Sequence, residues 1–165
     1  MIGHFASLGL SLALIVSAAK AEPATPVKRG ELPPRVEAEL TTREVMCRLD
    51  NFGGLVIPQG ALTKAELNGD GAAEFIVALC RLTCDGDPPK VSRACDQSVI
   101  FVSHAGAYEP VKMPGELLDI RQVPGSPPKL VSSSQSNIGA CPVEDGVCNP
   151  IFEISNGELV QVGIE

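Results

Sequence analysis

Glu66-Leu67-Asn68-Gly69-Asp70-Gly71-Ala72-Ala73-Glu74 runs straight into Phe75-Ile76-Val77-Ala78-Leu79-Cys80. Side chains carrying oxygen stand first, third, fifth and ninth in the nine-residue stretch, and Gly71 follows the third of them. A hard cation wants several oxygens at once, and alternate residues of a tight turn can aim them inward, so the stretch reads as the front half of a calcium loop. The glycines permit the sharp reversal. The apolar run behind it reads as a buried strand. Asn-Gly and Asp-Gly also mark tight turns that hold no metal, so the turn and the calcium loop stand as two readings of one stretch.

Downstream of this strand the chain alternates strand and turn at short spacing. Gln97 to Ser103 is apolar at both parities, as a central strand must be. Ala105-Gly106-Ala107 turns the chain back into Tyr108 to Met113. Leu117 to Val123 and Lys129 to Ser133 flank a Pro-Gly-Ser-Pro-Pro turn, and Ile151 to Ser155 and Glu158 to Gly163 flank Asn156-Gly157, a strong hairpin signal. Upstream, Leu55-Val56-Ile57 is a short apolar run stopped by Pro58. Arg35 to Leu49 has a helical stripe: Val36, Leu40 and Cys47 fall within about 40° of one another at 100° per residue. Thr41 with Glu44 fits a capping box and offers a later start, and Gly53-Gly54 offers the stop. The expected fold class is α+β: mostly an antiparallel β meander with one N-terminal helix, stapled by disulfides.

Residues 1–21 read as a secretory signal. Phe5 to Ala19 is almost wholly apolar, of signal length and short for a membrane span, and Ala19-Lys20-Ala21 puts the cut before Glu22. No Lys or Arg precedes the apolar core. Residues 22–34, with Pro23, Pro26, Pro33 and Pro34, read as a Pro-rich linker, and residues 35–165 as a single domain. The formal net charge is −7, one unit more acidic once Lys20 is removed. That argues against nucleic acid and anionic membrane as partners and agrees with cation binding.

All six cysteines follow the expected cut. An even count in an exported chain reads as disulfides, with fifteen possible pairings. Spacing favours Cys84–Cys95 and Cys141–Cys148, which close short loops, and leaves Cys47–Cys80. Each bridge is expected to contribute about 2–4 kcal/mol. A zinc site needs a second close Cys or His pair beside Cys80 and Cys84, which the sequence lacks. His104 stands at a turn with no nucleophile motif, and Ser132-Ser133-Ser134 reads as strand-end polarity, so no enzyme is expected.

The nonapeptide with its strand resembles the cation-binding loop of integrin-type FG-GAP and VCBS repeats, Asp-Leu-Asn-Gly-Asp-Gly-x-x-Asp before a hydrophobic strand. Those repeats build propellers of at least four blades, whereas this chain has one copy, so the likeness covers one loop. Cys47, Glu66–Glu74, Thr83-Cys84, Phe101-Val102-Ser103, Cys141, Cys148 and Asn156-Gly157 together resemble small exported bacterial proteins of unknown function. The resemblance implies an exported single domain without known activity. Carried over by position, it implies that Glu66, Asn68, Asp70, the Ala72 carbonyl and Glu74 ligate calcium. Glu66 and Glu74 stand where aspartate is usual, and Val77 stands where an EF-hand has its bidentate glutamate. The leading expectation is therefore a non-catalytic periplasmic or secreted module with a structural calcium loop and no membrane insertion after signal cleavage. The alternative is an interaction or enzyme-inhibitor module. It would meet an unknown protein partner through two disulfide-closed acidic loops, one carrying Asp85 and Asp87, the other Glu144 and Asp145.

Overall fold

The computed structural model describes residues 24–50, 52–86, 97–135 and 147–165. In chain order the elements are β1 (Thr25–Pro26), α1 (Pro34–Leu49), β2 (Leu55–Val56), β3 (Leu62–Ala65), β4 (Glu74–Val77), β5 (Thr83–Cys84), β6 (Gln97–His104), β7 (Ala107–Pro114), β8 (Glu116–Arg121), β9 (Lys129–Gln135), β10 (Val147–Cys148), β11 (Pro150–Ser155) and β12 (Glu158–Ile164). Every strand pairing is antiparallel. The fold is α+β, as its strand–turn rhythm demands.

The antiparallel strands are divided between two main sheets. The first runs β1-β3-β4-β6-β7; in the second, β9 and β11 lie between β8 and β12, and β10 also pairs with β9. β6 is central, with β4 on one side and β7 on the other, and its two faces feed two cores. Val99 and Phe101 pack with Phe75, Val77, Val36 and Leu40 beneath the helix. Ile100 and Val102 pack with Ile76, Met113, Leu130, Phe152 and Ile154 between the sheets. The order of layers is thus helix, first sheet, second sheet, which is why β6 is apolar at both parities.

The chain passes from one sheet to the other at Gly115, between β7 and β8. Gly115 has φ +74, and a Cβ there would collide with the Ser133 carbonyl, so only glycine fits. Buried serines satisfy the carbonyls of this corner: Ser98 Oγ donates to Gly115 O at 3.2 Å, and Ser132 Oγ donates to Pro114 O. Ser132 is therefore a structural residue of the corner.

The helix buries the expected stripe of Val36, Leu40 and Cys47. It starts earlier than a Thr41–Glu44 capping box would place it. Pro33 is the N-cap and Pro34 opens the first turn, where a missing N–H costs nothing. Glu44 instead bonds Arg29 and Arg48 across the helix surface. The helix also ends before Gly53-Gly54, at Asp50. Gly53 serves a close approach: its N–H donates to Asp85 O at 2.7 Å, and a Cβ there would lie 2.8 Å from that of Asp85. The stretch read as a linker is docked over its described part. Thr25 and Pro26 pair with Lys64 and Thr63, Val27 and Leu32 pack on the core beneath the helix, and Arg29 bonds both Glu37 and Glu44.

The cysteine framework corrects two expected pairings. Cys47 bonds Cys84, with Cα atoms 5.4 Å apart, so neither Cys47–Cys80 nor Cys84–Cys95 forms. The reason is local. β2 follows the helix closely and pairs with β5, placing Leu55 opposite Cys84, so β5 lies beside the end of the helix. Cys80 sits instead in an exposed 3-10 turn, Leu79–Arg81. Cys80 and Cys148 each take part in a disulfide as well. The expected Cys141–Cys148 pair involves Cys141, which lies outside the described residues.

Candidate functional site

The Glu66–Glu74 loop joins β3 to β4 at one end of the first sheet. Gly69 and Gly71 both have φ +83, and nothing crowds the Cβ position of either, so glycine is required there for backbone conformation alone. Two successive Asx turns build the reversal. Asn68 Oδ1 accepts the Asp70 N–H at 2.9 Å, and Asp70 Oδ1 accepts the Ala72 N–H at 2.7 Å. Glu66 Oε1 accepts the Gly69 N–H. Glu74 Oε2 closes the loop by accepting the Leu67 N–H at 2.6 Å. All four side chains expected to face a cation thus accept N–H groups of their own loop.

One residue from outside the loop joins this network. Ser103, near the end of β6, lies 2.7 Å through Oγ from Asp70 Oδ2 and 2.8 Å from Glu74 Oε1. Its N–H donates to Glu74 Oε1 at 3.3 Å, and its carbonyl accepts from Asn68 Nδ2 at 3.1 Å. A hydroxyl has one hydrogen, so Ser103 cannot donate to both carboxylates at once. The Ser103 hydroxyl, followed by the Ala72 N–H, holds the Asp70 carboxyl below the usual range. Burial pushes the Glu74 carboxyl up, against the downward pull of the bonds from Leu67 and Ser103. Two carboxylates around one hydroxyl are therefore tuned in opposite directions.

Asp70 and Glu74 are brought together through Ser103, while Glu66 is turned to Gly69. Among the described residues, no group of three or more His, Cys, Asp or Glu side chains is placed to hold a metal ion. Tyr108 closes the neighbouring side. Its hydroxyl donates to Ala73 O at 3.2 Å, and its ring meets Phe75 edge-on at 5.4 Å. Burial, then the charges of Glu74 and Asp70, push the Tyr108 phenol up. His104 is exposed at the hairpin end.

No family model, curated protein or solved structure matches the chain. The site thus stands on its geometry. Ser103 is the residue that sequence reasoning did not place there. Its signal was a serine ending a strand otherwise apolar at both parities, which calls for a polar partner when buried. Of the two acidic loops, Asp85 to Ala94 is not closed by a Cys84–Cys95 bond, because Cys84 is bonded to Cys47. Residues 87–96 and the loop from Pro142 to Gly146 lie outside the described residues. A separate cleft of about 300 Å³ lies between β8 and the β1–β3 side of the first sheet, floored by Ile76, Ala61 and Leu117 and rimmed by the Arg81–Glu116 ion pair.

Proposed function

We propose that this chain is a non-catalytic exported module whose 66–74 loop locks β3 and β4 to β6 and takes calcium as a structural ion. The observation that carries this reading is the Ser103 hydroxyl shared by Asp70 and Glu74. A hard cation answers two neighbouring carboxylates better than a single hydroxyl hydrogen does. Asp70, Glu74 and the Ser103 hydroxyl form an oxygen set suited to such an ion. Asn68, the Ala72 carbonyl and Glu66 complete the shell only if they converge on the same point, and Glu66 is at present turned to Gly69. The cost of that rearrangement places the expected affinity in the weak extracellular range, about 10⁻⁴–10⁻³ M. The likeness of the loop to FG-GAP and VCBS cation loops supports the same reading. Disulfide bonding, and the absence among the described residues of a helix long and apolar enough to cross a membrane, are compatible with export.

A ligand that binds only the folded chain raises its melting temperature with concentration. Melting is therefore expected to rise between chelator and roughly 10 mM calcium, about ten times the weak-site constant. Asp70→Ala is expected to remove the rise. An unchanged melting point in the parent chain would reduce the loop to a hydrogen-bonded turn. Export is tested separately by sequencing the amino terminus of the mature form. Glu22 is expected first, and an intact Met1 chain in the membrane fraction would contradict export with cleavage.

A further inference from the structure

We draw no further inference here: the strongest candidate, the cleft between β8 and the β1–β3 side of the first sheet, is a largely apolar groove at a sheet edge, and nothing in the structure shows what covers it.

Discussion

Glu74 is the side chain on which the closed loop depends, and its removal has a calculable cost. The residue is wholly buried. Its two oxygens accept the N–H groups of Leu67 and Ser103. Glu74→Ala leaves both backbone donors without an acceptor, at about 1–3 kcal/mol each. The Ser103 hydroxyl keeps Asp70, so it adds little to the loss. Water can reach the exposed tip of the loop, which favours the lower part of the range, so a loss of about 3 kcal/mol is expected. Glu74→Gln keeps the size and one acceptor oxygen but turns an amide donor toward the other N–H, so it is expected to cost about 1–3 kcal/mol, less than Glu74→Ala. With chelator present at neutral pH, urea unfolding should show the Ala midpoint falling by roughly 1.5–2 M, for a slope near 1.5–2 kcal/mol per molar. The pH dependence adds a second reading. The folded pKa of Glu74 lies above its unfolded value, so its protonation adds stability that is complete below about 4.3 and lost as pH rises through the folded value. The Gln variant lacks this decline, so it should gain on the parent as pH rises toward neutrality. Asp70 acts in the opposite sense: its stabilisation is present above about 3.9 and lost as pH falls through its lower folded value. An alanine variant within about 0.5 kcal/mol of the parent would refute the account, because two orphaned buried amides cannot cost so little.

Cys47 and Cys84 close a sequence separation of 37, so replacing both by serine is expected to cost about 4 kcal/mol in chain entropy, read as a lower denaturation midpoint. A loss below about 1 kcal/mol would mean that the β2–β5 ladder alone holds the end of the helix. Ala105 has φ +50 in a two-residue hairpin, so Ala105→Asn is expected to stabilise by about 0.5–1 kcal/mol; a lower melting temperature would count against the strained turn. Gly115→Ala is expected to cost more than about 3 kcal/mol, because it adds a Cβ against the Ser133 carbonyl at positive φ; circular dichroism and melting of the purified chain check this, and near-parental stability would overturn the account of the corner.

Local patterns of the sequence translate well into this fold. The helical stripe of Val36, Leu40 and Cys47, the doubly apolar β6 and the turn at Asn156-Gly157 each depend on neighbouring residues, and each is present. β3 was harder to read, because Leu62-Thr63-Lys64-Ala65 gains its meaning from pairing with β4. β1 is two residues long and holds Pro26, tolerable only at a sheet edge. Nothing but one glycine marks the passage between sheets at Gly115. Cysteine spacing misled because short loops are favoured only where the chain between them leaves the thiols facing each other. Here the β2–β5 pairing sets Cys84 beside the end of the helix, where it meets Cys47. The loop itself was legible as a tight reversal rich in oxygen. Its tie to Ser103 spans about thirty residues of chain, so the nine residues of the loop carry no sign of which partner they meet.

That tie decides what kind of unit the loop is. A motif whose side chains answer only its own backbone is a cassette: cut out and spliced between two strands of another protein, it carries its conformation with it. The segment from Ala65 to Phe75 is different, because Asp70, Glu74 and Asn68 also address Ser103 on β6. A graft of those residues onto a foreign hairpin would move the sequence and strand the carboxylates. The graft becomes portable only into a host whose adjoining strand offers a hydroxyl at the matching register. A search for this loop in other chains therefore has to look for two pieces, the nine residues and a serine or threonine on the strand beside them.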